Sequence, residues 1–348
     1  MLKWFHSYFT NRQLFVVANE ERSDPIFMKQ GTPQGSTLSG LVFALYLNDL
    51  PEKLSNSKSL FYADDLGMHA SAETIPEVES KLQSDVDALE SWCSENGMKI
   101  NTQKTKSMLF HRKKLSESDR LDLKTSENKI KYVKEFKYLG LSLDQKLSFN
   151  AHYEKVCSNM TSRLYMLKRY AKYFSFKWRH IFCTSLVLSV LEYCLPVWGT
   201  LSEGKLDRIN CIILKLAKYV VLDNNYNKKV LSDIDIIDKL NWLLCQEKIS
   251  VYTLNFIFKH VTKTSSLNMC LDNFVKREST GRGSKLEHNF FVPRMNTTFG
   301  KSSFLYRGIT IWNKLPNSIK EIDNFKKFDL AIRKSILMER KNDMIYFH

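Results

Sequence analysis

Ser59-Leu60-Phe61-Tyr62-Ala63-Asp64-Asp65-Leu66-Gly67 is an apolar run that ends in two adjacent carboxylates and then turns apolar and small again. A polar loop, Ser55 to Ser59, leads into it. The pattern predicts a β-hairpin whose turn carries Asp64 and Asp65. Two ionised carboxylates side by side repel each other. A hard divalent cation, Mg²⁺ or Mn²⁺, relieves that repulsion by taking oxygen ligands. Most Asp-Asp pairs are solvated turns, so the flanking chain has to decide between the two.

Upstream, Gln30-Gly31-Thr32-Pro33-Gln34-Gly35-Ser36-Thr37-Leu38-Ser39-Gly40 combines three glycines, a proline and small hydroxyl residues. Such a loop lets backbone approach a ligand closely. It runs into Leu41 to Leu47, which reads as a buried helix, and amides at a helix start favour phosphate. Before the loop, Trp4, Phe5, Tyr8 and Phe9 form an aromatic helical face, and Phe15 to Val17 suggests a short strand.

Downstream, Val78, Leu82, Val86, Leu89 and Trp92 recur at helical spacing, with Gly97 as the stop. Met98–Asn101 and Ser107–His111 read as strands around Thr102–Lys106. The polar stretch 112–128 reads as a surface loop, and Tyr132–Leu143 as a second hairpin. The predicted class is α+β, an antiparallel sheet with helices on one face. From Asn150 the strand signals stop. Helical periodicity carries 150–173, 177–195, 204–221 and 232–262, and the third of these sets Lys205, Arg208, Lys215 and Lys218 opposite an apolar face. Residues 263–303 read as a linker with little regular structure. Phe304–Trp312 and Phe325–Leu337 read as two further helices.

The 348 residues carry 52 Lys and Arg against 37 Asp and Glu, a net charge of +15. Residues 276–348 hold 15 basic and 7 acidic side chains, so 15 − 7 = +8 of that excess lies in the last fifth. Such a surplus points to a polyanion, nucleic acid first and an acidic membrane surface second. The seven cysteines (Cys93, Cys157, Cys183, Cys194, Cys211, Cys245, Cys270) form no Cys-x-x-Cys pair. That spacing argues against a disulfide framework, a disulfide-linked partner and structural zinc. It fits a nuclear or cytoplasmic protein that is not secreted. The most apolar run, Ile181–Trp198, is broken by Glu192 and Pro196, and reads as a buried helix and not a membrane span.

In this order the segments resemble the reverse transcriptases of non-long-terminal-repeat, jockey-like retrotransposons. Gln30–Gly40 with Tyr46-Leu47-Asn48-Asp49-Leu50 is similar to motif B, and Tyr62-Ala63-Asp64-Asp65 to motif C. Asn101, Lys104, Thr105 and Phe110 match motif D, and Phe136-Lys137-Tyr138-Leu139-Gly140 the primer grip. Tyr306-Arg307-Gly308 and Trp312-Asn313-Lys314-Leu315-Pro316 resemble the segment downstream of the thumb. The resemblance implies a partial palm over 1–145, an all-α thumb over 146–262, and a linker with a small basic helical region over 263–348. It implies an RNA-directed DNA polymerase that uses RNA template, DNA primer, deoxynucleoside triphosphates and two Mg²⁺ (or Mn²⁺) ions. Asp64 and Asp65 would be the metal ligands, and Lys104 would lie near the leaving pyrophosphate. Gln34 and Gly35 would line the incoming nucleotide, with Ala63 under the primer end. Tyr138, Leu139 and Gly140 would position the primer. Lys205, Arg208, Lys215 and Lys218 would hold the nucleic-acid backbone.

The family's motif A carries a further metal-binding aspartate on a strand before motif B. Only Asp24 precedes Gln30 here, beside Pro25 in a polar loop. The expectation is therefore an N-terminally truncated copy that does not polymerise alone. The alternative is a catalytically inactive remnant that only binds nucleic acid. A palm-like nucleotide cyclase would need a Gly-Gly-x-Glu-Phe turn, which the sequence lacks.

Overall fold

A computed structural model describes residues 2–33, 35–111, 119–221, 232–262, 274 and 289–341. The chain divides into two compact units. The first is Met1–Tyr138 with Leu143–Ser148, and the second is Leu139–Ser142 with Phe149–His348.

The first unit is mixed. Helix α1 (Leu2–Phe9) precedes strands β1 (Arg12–Leu14), β2 (Val17–Ala18), β3 (Glu21–Arg22) and β4 (Ile26–Met28). Then come α2 (Ser39–Tyr46), α3 (Leu50–Lys53), β5 (Lys58–Tyr62), β6 (Asp65–His69) and α4 (Ile75–Glu95). Strands β7 (Lys106–Ser107), β8 (Lys131–Tyr132), β9 (Glu135–Tyr138) and β10 (Leu141–Asp144) follow. The α+β class holds. The single antiparallel sheet does not: the described strands pair as five two-stranded sheets, and β7 runs parallel to β8. Strands of two to five residues bury too little to hold a wide sheet together.

Helix α4 organises this unit. Thr74 caps it by accepting from the Glu77 amide at 3.4 Å. One part of its apolar face buries Trp92 and Cys93 with Leu50 and Leu54. Val78 and Val86 pack with Leu109, Leu121, Leu123 and Ile130. Leu121 and Leu123 correct the expected surface loop over 112–128. From Leu121 to Thr125 burial alternates residue by residue, so this is an extended segment laid on α4. The remainder of that loop, 112–118, lies outside the described residues. Met98–Ile100 forms no strand. Helix α2 also departs from expectation. It is not buried, and Leu41 and Leu45 are 60% and 65% exposed. It is held at its C-terminal end, where the Tyr46 hydroxyl donates to the Asn96 carbonyl and the Trp92 indole donates to Asp49 Oδ2 at 3.1 Å.

The second unit is helical: α5 (Asn150–Arg169), α6 (Phe176–Phe182), α7 (Ser189–Glu192), α8 (Leu195–Trp198), α9 (Glu203–Val221), α10 (Asp233–Lys239) and α11 (Cys245–Val261), then α12 (Thr298–Ser302), α13 (Phe304–Lys314), α14 (Asn317–Lys320) and α15 (Phe325–Lys341). The run 232–262 is two helices, because Asn241 takes a left-handed conformation at φ +52°. Helix α11 shares its core with α13 and α15. Phe258 stacks on Phe328 at 4.1 Å, and Ile257, Ile309 and Trp312 are buried beside them. Each such side chain contributes about 1.5–3 kcal/mol of burial. The stretch 263–303 is not structureless throughout: Thr297 caps α12, and Phe290 is buried, exchanging two 2.9 Å hydrogen bonds with the Asn313 amide. Cys183 and Cys245 are fully buried, which pushes both thiols up to about 12. Cys270 lies outside the described residues. No helix among the described residues is long and apolar enough to cross a membrane.

Candidate active site

Strands β5 and β6 pair from Lys58 with His69 to Tyr62 with Asp65, leaving Ala63 and Asp64 as a two-residue turn. Ala63 has φ +53°. An L-residue in that region costs about 1–2 kcal/mol, the strain of turning a hairpin with so short a loop. Asp64 sits in the turn and Asp65 opens β6, and both are exposed.

Asp65 and Gly67 point to one face of β6, two residues apart. Tyr138, at the end of β9, covers that face: a Cβ on Gly67 would lie 2.9 Å from the Tyr138 hydroxyl. Burial, and after it the Asp65 carboxylate, pushes the Tyr138 hydroxyl above its ordinary pKa. The fold therefore brings the expected metal-binding turn and the expected primer-positioning tyrosine together.

Leu139 and Gly140, in the second unit, have φ +45° and +87°, the pair of left-handed residues that a tight hairpin turn requires. Tyr193 backs this turn. Its hydroxyl donates to the Leu139 carbonyl, and its ring stands 3.1 Å from where a Cβ on Gly140 would be.

The glycine loop is tied down from the N-terminal side. Arg12 donates to the carbonyls of Gly31 at 2.6 Å and Gln30 at 3.2 Å. The Tyr8 hydroxyl donates to Ser36 Oγ, and Ser39 Oγ to the Pro33 carbonyl, both at 2.5 Å. Gly35 has φ +82° with open space around its Cα, and Gln34 lies outside the described residues. Lys104 is exposed in a turn closed by Asn101, whose Oδ1 accepts from the Lys104 amide at 3.1 Å. Among the described residues, no hydrogen bond or ion pair joins Gly35 or Lys104 to Asp64 or Asp65.

The four basic residues of α9 have local company. Lys205 donates to Asn150 Oδ1, Arg208 pairs with Glu154 at 2.9 Å, and Lys218 with Asp233 at 2.7 Å, while Lys215 is exposed. Lys205 and Arg208 also stand 5.1 and 5.6 Å from the Tyr153 ring.

Two adjacent carboxylates fit a Mg²⁺ ion that completes its octahedral shell with phosphate oxygens and water. Among the described residues, no three His, Cys, Asp or Glu side chains gather into one metal-holding group. Arg12, Tyr8, Gly67 and Tyr193 are site-shaping residues that the motifs do not reveal. Only Gly67 carries a local signal, since glycine inside a strand marks close approach of another group.

Residues 1–143 match the family model described as reverse transcriptase (RNA-dependent DNA polymerase). Relatives extend the likeness past that segment. The probable RNA-directed DNA polymerase from transposon BS of Drosophila melanogaster is 26% identical over 216 residues, 59% of this chain and 24% of that protein. The RNA-directed DNA polymerase from mobile element jockey of Drosophila funebris is 24% identical over 225 residues, 62% of this chain and 24% of that protein. A retrovirus-related Pol polyprotein from type-1 retrotransposable element R1 of Nasonia vitripennis is 30% identical over 124 residues, 34% of this chain and 37% of that protein. Residues 1–143 are thus similar to reverse transcriptase sequence, and these relatives belong to mobile elements. The chain spans about a quarter of the length of the first two relatives.

Proposed function

We propose that this chain carries the primer-end and thumb portion of an RNA-directed DNA polymerase from a retrotransposon. The observation that supports it most is the meeting of Asp65, Gly67 and Tyr138 on one face of the β5–β6 hairpin, inside the segment that matches the reverse transcriptase family. On this reading residues 1–145 are a partial palm, 146–262 the thumb, and 263–348 a linker and basic helical region.

Asp64 is the principal metal ligand and Asp65 its neighbour. Bound Mg²⁺ or Mn²⁺ supplies positive charge to the attacking and leaving oxygens of an in-line displacement. The chain's own residues do the positioning. Tyr138, with the Leu139–Gly140 turn, orients the primer end against Ala63. Gln34 and Gly35 line the deoxynucleoside triphosphate in a loop that Arg12 holds. Lys104 places its charge near the leaving pyrophosphate, as stabiliser or proton donor. Lys205, Arg208, Lys215 and Lys218 hold template–primer phosphates without reading sequence. The working compartment is nuclear or cytoplasmic.

The donor set favours a second reading, binding without turnover, in this chain taken alone. Two carboxylates hold one cation, and a second ion needs further oxygen donors. Electron paramagnetic resonance of Mn²⁺, with deoxynucleoside triphosphate and a poly(rA)–oligo(dT) hybrid present, tests the site. Asp64→Asn is expected to weaken Mn²⁺ binding by about tenfold or more, on the order of 1.4 kcal/mol. Unchanged Mn²⁺ binding in Asp64→Asn and Asp65→Asn overturns the metal assignment. Primer extension on the same hybrid is expected to give no Asp64-dependent synthesis from this chain alone. Robust synthesis that Asp64→Asn abolishes would overturn the second reading.

A further inference from the structure

Between Glu154 and Glu192 the chain has no acidic residue and seven Lys or Arg residues. The same stretch exposes large aromatic rings where α5 ends and α6 begins. Tyr165 is 66% exposed, Tyr173 69% and Trp178 51%, and Tyr170 and Phe176 are close to half exposed. Rings of this size leave water readily, and five exposed ones fall within residues 165–178. The buried side of the same segment is built by other residues: Leu164 and Leu167 are in the core, and Arg179 turns inward to donate to the Tyr219 carbonyl at 3.4 Å, while Trp178 keeps one stack, on Phe182 at 5.8 Å.

The cations are interleaved with the rings. Lys168 Nζ stands 5.9 Å from the Tyr165 ring centre, and Lys172 Nζ 4.9 Å from that of Tyr173. Lys168, Arg169, Lys172 and Lys177 are all exposed. An apolar partner protein would use the rings and leave the charges unmatched. A duplex would use the charges and leave the rings idle, because its bases are stacked on one another. A single strand uses both: each unpaired base offers a π-face, and the phosphate beside it offers a negative charge.

We propose that this surface binds single-stranded nucleic acid, with bases stacking on Tyr165, Tyr173 and Trp178 and phosphates held by Lys168, Arg169 and Lys172. It rests on the polymerase reading only for its class of ligand. It adds to that reading a hold on unpaired strand, apart from the residues assigned to the primer end.

Fluorescence anisotropy of the full chain tests it. The probes are labelled oligo(rU) and oligo(dT) of about 20 nucleotides, and an RNA–DNA hybrid of the same length. Vesicles of phosphatidylcholine and phosphatidylserine are the membrane probe. The double variant Tyr173→Ala, Trp178→Ala is expected to lose about tenfold or more in affinity for both single strands, and less than about threefold for the hybrid. Tyr173→Phe with Trp178→Phe is expected to restore single-strand binding, since Phe keeps a stacking face. Both side chains are exposed, so an unchanged thermal melt is expected to accompany the loss. Unchanged single-strand affinity in the alanine pair, or an equal loss on the hybrid, overturns the proposal. So does vesicle binding that depends on the two rings while oligonucleotide binding does not. No variant touches Asp64 or Asp65, so failure here leaves the Mn²⁺ result standing, and the reverse also holds.

Discussion

The Tyr138 hydroxyl stands over Gly67 so closely that a Cβ at that position would lie 2.9 Å from Oη and 3.3 Å from Cζ. A contact under 3 Å forces something to shift, so a larger residue at position 67 displaces the tyrosine hydroxyl that lies over β6. Gly67→Ala is expected to destabilise the first unit by about 1–2 kcal/mol through this overpacking. The penalty should shrink in a Tyr138→Phe background, where the nearest atom is gone. Urea unfolding of the four proteins closes the cycle, with a coupling of about 0.5 kcal/mol or more expected. Additive costs would mean that the tyrosine does not rest on the glycine.

The hairpin was legible because its signals are local. An apolar strand, a two-residue turn and a glycine two residues past Asp65 all fall within nine consecutive residues. The supports around it were not, since Tyr193 reaches Leu139 across 54 positions and Arg12 reaches Gly31 across 19. No window of sequence contains both partners. The Leu121–Thr125 segment hides its strand period for another reason. Its charged neighbours dominate the average polarity, although Leu121 and Leu123 alternate with Asp122 and Lys124 at strand period. The break at Asn241 was hidden because Leu240, Trp242 and Leu243 continue an apolar helical pattern through it. The family motifs named the turn at Asp64, whereas the separation of the strands into pairs depends on packing that motifs do not encode.

Asp85 is fully buried on α4, and its Oδ1 accepts from the Asn56 amide at 3.1 Å and from Asn56 Nδ2 at 3.0 Å. Burial alone would raise its pKa, but the polar groups of Ser57 and Asn56 beside the carboxylate outweigh that and hold it below 3.8. The folded value is depressed, so the stabilisation is complete above the unfolded value and is lost as pH falls through the folded one. Asp85→Ala is expected to cost about 1–3 kcal/mol at neutral pH, because the Asn56 donors lose their acceptor. Unfolding of parent and Asp85→Asn between about pH 5 and pH 2 checks the sign. The gap between them should narrow on acidification. A gap that widens would show the carboxylate to be raised.

His152 is buried with its Nδ1 accepting from the Ser142 amide at 3.3 Å and its ring edge-on to Trp198 at 5.1 Å. Burial, and then the charge of Lys155, lowers its pKa below 6.5. A proton on Nδ1 would also abolish the bond from Ser142. The unfolded chain therefore takes up a proton in a range where the folded chain does not. Stability of the second unit should be complete above 6.5 and fall on acidification below it, by up to about 1.4 kcal/mol per pH unit. Chemical denaturation between about pH 7.5 and pH 5 should show that slope in the parent and a flatter one in His152→Gln. Equal slopes would remove His152 as its source.

Arg340, near the end of α15, ties three elements together. Its Nε donates to Glu247 Oε1 at 2.8 Å and its Nη2 to the other oxygen of the same carboxylate, while Nη1 reaches Asp238. A further bond runs to the Trp242 carbonyl at 3.2 Å. The side chains are largely withdrawn from water, with 10% exposure for Arg340, 17% for Glu247 and 20% for Asp238. Glu247 Oε2 also accepts from the Leu244 amide at 2.7 Å, so the same carboxylate starts α11. Removing the guanidinium leaves two nearly buried carboxylates facing each other. Arg340→Met is expected to cost about 3–5 kcal/mol. Arg340→Lys should recover little of it, since an ammonium cannot grip one carboxylate with two parallel bonds while reaching the second. Adding Glu247→Gln to Arg340→Met should restore part of the loss by removing one stranded charge. Urea midpoints of the three variants measure this. An Arg340→Lys protein within about 1 kcal/mol of the parent would show that charge alone, without the fork, holds α15 to α10 and α11.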